Sequence, residues 1–424
     1  MKLRRCFLLS LVFLLTSCTV QKERIVFSVG GAPSEIEFWE KILEDFEKQT
    51  NIRVSILRQP TDSDLRRQSL LVALKARRND PDVFLMDIAW IAQFANAGWL
   101  WELEDVVKKD KFDLNVFWPN ILNFADRFKG KLVALPVYID AGLLYYRADL
   151  LEKYGFKKPP TTWEELVGYS LKIQPEIRKT NPNFFGFVWQ GAQYEGLVCN
   201  FLEFAGSNNG GIEIVDSDIK INTKENLEAL KFMRDLIHKI RISPMNTFTE
   251  MKEEEVRMFF QQGNALFERN WPYAWSLHNQ KGSPVKGKVK IAPLPAFKNG
   301  KSVSTLGGWH IAISKYSDKK EEAWEFVKFV ISKEIQKVLS IKLGWNPSRR
   351  DVYRDKDVLS VHPHLAELKE IFANALPRPN LPYYTQISEL MRKSINAVIA
   401  GKKDPQEALS ELEKDIKELV ARYK

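Results

Sequence analysis

The sequence predicts an α/β fold in two lobes, and two observations carry that expectation. The chain is 424 residues long, more than one hydrophobic core usually organises. Apolar runs of strand length alternate with segments whose apolar residues recur every three or four positions, as strands joined by amphipathic helices do, which implies a parallel sheet. Composition agrees: 45% hydrophobic and 28% charged residues describe an ordinary globular chain and exclude a disordered, fibrous or multi-span membrane protein.

The alternation is clearest at the start. Residues 25–29 read as a strand ending at Gly30-Gly31, and Pro33 opens a helix with Ile36, Trp39, Ile42, Leu43 and Phe46 on one face. Residues 52–57 read as a second strand, 64–77 as a second helix, and 83–86 as a short buried strand with Asp87 at its carboxyl end. Ligands of open parallel sheets bind beyond the carboxyl ends of strands, where Gly30-Gly31 and Asp87 both fall. Further on, 132–135 and 143–146 read as strands joined across 136–140. Thr162 and Glu165 fit a capping box, opening a helix with Trp163, Leu166 and Leu171 on one face. Residues 206–211 read as an exposed loop and 224–240 and 250–262 as amphipathic helices. Strands are expected at 265–267, 288–292 and 309–313, and helices at 319–331, 362–375, 384–400 and 404–423.

The N-terminus is not part of this pattern. A basic start, Met1 to Arg5, precedes a short apolar run that ends in Leu15-Thr16-Ser17-Cys18. That is a secretory signal over 1–17, too short to span a bilayer comfortably. Its end resembles a bacterial lipobox, in which the cysteine is acylated and becomes the first mature residue; an accidental cysteine after a plain signal is the alternative. Cys18 is thus the lipidation candidate and 18–23 a polar tether, which would hold the body in water beside a membrane. Loss of Lys2, Arg4 and Arg5 with the signal lowers the net charge from +9 and leaves 60 Lys+Arg against 54 Asp+Glu, with no basic block for nucleic acid. Cys199 is then the remaining thiol; its apolar helical context reads as a buried small hydrophobe, and no Cys/His spacing suggests a metal site.

Three strings mix ring faces with polar groups at element ends: Trp189 to Glu195, Asn270 to Trp275, and Leu306 to His310. Sugars present an apolar C–H face and a rim of hydroxyls, and so suit aromatic surfaces beside hydrogen-bonding side chains. Glu35, Arg66, Asp87, Asp140 and Arg378 are candidates for the latter. Each also fits a structural role: a core tryptophan, a helix cap at Asp87 or Asp140, a solvated charge at Arg378, a turn at Gly307-Gly308. There is no P-loop and no Gly-x-Ser-x-Gly elbow. A glycosidase carboxylate pair, with Glu35 and Asp140 as suspects, stays open.

Longer strings carry a resemblance. Residues 81–87 (PDVFLMD), 134–142 (ALPVYIDAG), 186–190 (GFVWQ), 267–275 (FERNWPYAW), 306–310 (LGGWH) and 343–347 (LGWNP) are similar to the extracellular solute-binding proteins of ABC sugar importers, most closely the trehalose/maltose-binding proteins of thermophilic prokaryotes. The likeness spans the mature chain, apart from loops near 206–222 and 296–304. It implies a two-lobed periplasmic-binding-protein-like fold with three interlobe crossings, the first lobe being 24–139 and 294–344 and the second 140–293 and 345–424. It implies a disaccharide in the cleft, held by Glu35, Thr61, Arg66 and Asp87 from the first lobe. Tyr138 and Asp140 would sit at a crossing, Trp271 and Tyr273 would offer stacking faces, and Arg378 would be a donor. Gly307, Gly308 and Trp309 would close the site; Trp189, Gln190 and Tyr194 are added for their polar-aromatic clustering. The implied protein is an extracytoplasmic, membrane-anchored monomer that passes its sugar to a membrane permease. It uses no cofactor, binds no nucleic acid and is not an enzyme.

Overall fold

The computed structural model describes residues 24–423 apart from 216–217, 366–367, 369–370 and 372–374. The signal and tether with Cys18 lie outside the described residues, as does part of the helix expected at 362–375. The opening units form as the periodicity predicts: β1 (Arg24–Gly30), α1 (Pro33–Thr50), β2 (Arg53–Gln59), α2 (Ser63–Lys75) and β3 (Val83–Asp87). β1 pairs in parallel with β2 and with β3. Ile36, Trp39, Ile42, Leu43 and Phe46 are buried on α1, packing on Phe27 of β1 and Phe326.

The segment expected to link two strands is itself a strand. β4 (Leu135–Ala141) runs straight through 136–140, all buried, and Gly142 alone separates it from β5 (Leu143–Arg147). Pro136 is tolerated because β4 ladders with one strand among the described residues, its other side meeting the chain again only near Asn346 and Pro347, beyond the proline. The chain then builds α3 (Trp163–Arg178), β6 (Phe185–Val188), α4 (Glu195–Gly206), α5 (Lys224–His238), α6 (Glu253–Gln261), β7 (Ala265–Asn270) and β8 (Val289–Ala292). At α3 only half of the capping box forms. Thr162 Oγ1 accepts from the Glu165 N–H, but the Glu165 carboxylate accepts from Thr161, one residue before the cap. Gly206 and Ser207, expected in an exposed loop, are buried, because α4 continues through Gly206 and Ser207 Oγ accepts from Trp163 Nε1.

β9 (Ser304–Ile313) starts five residues earlier than expected, so Leu306-Gly307-Gly308 are strand and not a preceding loop. It returns to the first sheet, antiparallel to both β3 and β4. α7 (Lys320–Val330), α8 (Lys333–Leu343), β10 (Ala375–Leu376), α9 (Tyr384–Ile399) and α10 (Pro405–Ala421) complete the chain. The result is two lobes. One is built on six strands in the order β10-β9-β3-β1-β2 with β4 also on β9; the other is built on the four strands β8-β5-β7-β6. β4 stays on β9 through Ala141, so the passage between sheets falls at Gly142, two residues beyond the expected boundary. Residues 375–376, expected wholly in the second lobe, pair with the start of β9.

A buried ion pair holds the passage. Arg269 on β7 and Glu203 on α4 are about 1% and 2% exposed and bond twice, Arg269 Nε donating at 2.7 Å. A Cβ on Gly142 would strike both side chains, and the Glu203 carboxylate also accepts from the Thr305 N–H at 3.1 Å. Removing one member strands the other charge without water. Glu203→Ala is therefore expected to lower unfolding free energy by about 3–5 kcal/mol, read as a shifted denaturant midpoint.

Candidate functional site

Strand register sets one wall of the site. Trp309 on β9 lies opposite Asp87 on β3 and Tyr138 on β4, and Gly307 lies opposite Asp140. Gly308 has φ +139°, a conformation that suits glycine, and a Cβ there would come within 2.6 Å of the Tyr138 carbonyl. Gly307 is needed for approach: a Cβ would lie 3.1 Å from the Trp271 ring. These groups, with the β1–α1 and β2–α2 turns, line a partly open cavity between the lobes.

Most of its polar groups are already engaged. Glu35, in the first turn of α1, accepts from the Ala32 N–H at 2.6 Å and from Trp345 Nε1 at 2.8 Å. Burial raises its proton affinity while those bonds and Arg66 oppose. Arg66 donates to the Pro60 and Thr61 carbonyls and lies 4.6 Å from the Trp309 ring. Arg378 donates to Asp87 at 2.9 Å and to Glu195 at 3.0 Å, and Glu195 also accepts from Tyr384 and Ser388. Tyr273 donates to Glu254 at 2.7 Å, and Trp271 Nε1 to Glu253 at 3.4 Å, with Arg269 stacked on Trp271 at 4.0 Å. Tyr138 stacks on Trp345 at 4.1 Å between centroids.

Asp140 is the exception. It is 8% exposed and lines the cavity, yet its carboxylate has no hydrogen bond or ion pair among the described residues. Burial, then the nearby Asp87 and Glu35 carboxylates, push it up to about 8, against the opposing pull of Arg269. The other ionisable groups that feel its charge are Tyr138, Tyr145 and Tyr353.

The structure thus brings Glu35, Thr61, Arg66, Asp87, Tyr138 and Asp140 to one cavity with Trp271, Tyr273, Gly307, Gly308, Trp309 and Arg378. Arg378 is not the free donor expected, since both its terminal nitrogens are bound to carboxylates. Trp189, Gln190 and Tyr194 do not line the cavity. Trp189 is core, its Nε1 donating to Ser243; Gln190 is buried between Arg269 and Asn200; Tyr194 is 2% exposed, beside Lys252. Glu195, Glu253, Glu254 and Trp345 line the cavity without having been singled out as site residues. Glu253 and Glu254 look in sequence like ordinary acidic residues of a helix first turn, whereas the string around Trp345 was at least conspicuous.

Across the cleft mouth the lobes touch. Asp62 and Asp64 at the start of α2 pair with Lys252 and with Arg392 of α9, and Thr385 of α9 bonds Gln93 at 3.3 Å. With the Asp87–Arg378 bond, these contacts describe a shut cleft.

The sequence profile of the bacterial extracellular solute-binding proteins matches residues 32–337. A probable ABC transporter-binding protein of Deinococcus radiodurans is 36% identical over 404 residues, 94% of each chain. Among solved structures, maltose-bound MalE3 of T. maritima superposes with a TM-score of 0.88 at 41% identity, covering 93% of this chain and 99% of its own. An ABC transporter solute-binding protein of Thermotoga lettingae bound with α-D-tagatose gives 0.84 at 27% identity, covering 94% and 100%.

The state of Asp140 has a measurable consequence. Its ordinary value is 3.8, so between about pH 4 and pH 8 the unfolded chain has shed this proton while the folded chain keeps it, and stability falls as pH rises. Without ligand, Asp140→Asn is expected to melt above the wild type at about pH 8, the gap closing towards about pH 4, in thermal scans across pH.

Proposed function

The chain belongs to the bacterial extracellular solute-binding proteins, and on that premise we propose that it captures a disaccharide in the interlobe cleft and delivers it to the membrane permease of an ABC importer. The solute is trehalose, maltose or a similar α-glucoside. One observation carries this reading: tryptophan and tyrosine rings and a buried carboxylate without a partner among the described residues meet in one interlobe cavity. The maltose bound to the T. maritima protein supports it; the tagatose bound to the T. lettingae protein shows that this fold also carries other sugars.

Trp271 and Tyr273 supply the stacking faces, and Glu35, Thr61, Arg66, Asp87 and Asp140 the polar rim, with Tyr138, Gly307, Gly308 and Trp309 closing the wall. Arg378 acts instead as a strut between the lobes. The first lobe comprises 24–141 and 294–344 and the second 143–293 and 345–424, joined by three crossings, the first of them at Gly142. Sugar favours closure because it touches both lobes only when they meet, and the closed form is what the permease receives. The chain acts as a monomer outside the cytoplasmic membrane, tethered by lipid on Cys18, and releases its cargo chemically intact.

Asp140→Ala and Trp271→Ala are each expected to weaken disaccharide binding by about tenfold or more with the fold retained. Titration calorimetry beside circular dichroism checks this, and unchanged affinity in both variants removes the assigned site. A melting screen against trehalose, maltose, sucrose, glucose and longer maltodextrins identifies the solute by the largest stabilisation. Chromatography after long incubation must return the sugar uncleaved; a hydrolysed product would make Glu35 and Asp140 a glycosidase pair.

A further inference from the structure

Six carboxylates line the cavity, against two guanidiniums. Both guanidiniums are occupied, Arg66 by loop carbonyls and the Trp309 ring, Arg378 by Asp87 and Glu195. Glu254 is answered from behind the wall by Arg257 at 2.7 Å. Three carboxylates remain without an ion pair among the described residues: Glu35, bonded to the Ala32 N–H and Trp345 Nε1, Glu253, which accepts from Trp271 Nε1 at 3.4 Å and feels Tyr194 and Arg269, and Asp140, with no hydrogen bond either. Arg269, whose charge bears on both Asp140 and Glu253, is committed to Glu203. Asp140 and Trp271 flank the same residue, since a Cβ on Gly307 would lie 3.4 Å from the Asp140 Cβ and 3.1 Å from the Trp271 ring.

Resting on the saccharide reading above, we propose that the cleft prefers a saccharide carrying a protonated amine, the ammonium group held by Asp140 beside the Trp271 ring. An aromatic ring next to a dry, uncompensated carboxylate stabilises a cation by cation–π attraction and by charge-assisted hydrogen bonds. The folded chain keeps the Asp140 proton below about pH 8; an ammonium group releases that proton to solvent and takes its place as the countercharge, whereas a neutral hydroxyl can only bond to the protonated acid. Asp87 on β3 and Glu35 on α1 add to the negative field at that point, while the tyrosines facing it bring no positive charge. The same field opposes phosphorylated and other anionic solutes.

The experiment titrates the full mature chain with maltose and trehalose, with their singly amino-substituted derivatives (one hydroxyl replaced at a time), and with the N-acetylated forms of those amines. At least one amine is expected to bind about tenfold tighter than its parent, with N-acetylation abolishing the gain. Asp140→Asn should erase that gain, so that within the variant no amine binds tighter than its own parent sugar. Glu253→Gln, should Asp140→Asn fail to fold, should reduce the gain in part. If both parents bind and no amine exceeds them, or the gain survives Asp140→Asn, the charge preference is overturned while the disaccharide reading stands. If amines bind and neither parent does, the neutral-disaccharide reading falls and the charge preference stands.

Discussion

Arg378 joins what the two sheets keep apart. Its guanidinium spans Asp87, at the carboxyl end of a first-lobe strand, and Glu195, at the start of a second-lobe helix, with 3% of its side chain exposed. Charges so well hidden are held when paired, and here Tyr384 and Ser388 add to the Glu195 shell and the Ala89 N–H serves Asp87, although Arg378 Nε has no partner among the described residues. The bridge exists only while the lobes are together. Parting them would expose three ionic groups to water, so the shut state and this bridge imply one another. Asp140 lies on the same wall but outside this network, which is why the cavity is polar yet incomplete.

The site is assembled by backbone as much as by side chains. β9 brings Trp309 into line with Asp87 and Tyr138, and its two glycines let Trp271 and the β4 backbone come close. Trp271 in turn rests on a guanidinium pinned by Glu203. A stacking ring mounted on an immobilised charge keeps a fixed orientation, which lowers the ordering cost of binding a flat solute face.

Much of this was legible in the residues. Alternation of strand and helix over the first ninety positions foretold the β1–α1–β2–α2–β3 unit, and the rule that ligands gather at strand carboxyl ends pointed to Asp87 and Gly30-Gly31. What escaped has physical reasons. Pro136 and the short polar-aromatic run after it looked like a connector, although a strand laddered on one side accommodates proline. Trp189 and Gln190 looked like a sugar platform because a buried hydrogen-bond network and a ligand site draw on the same residue types; only the fold shows that Ser243 and Arg269 take their polar atoms. Glu253 and Glu254 were hidden by resembling routine helix-start acids. The partnerless state of Asp140 is a fact of three dimensions that no spacing could disclose.

Cys199, read from its context as a buried small hydrophobe, stands in the cavity wall, 1% exposed, with burial raising its thiol above the usual range. Such a sulfur is inert towards alkylating reagents until solvent reaches it. The molecule therefore carries a native clock: the speed at which a maleimide consumes this thiol counts how often the jaws gape, and a lodged cargo should slow the count.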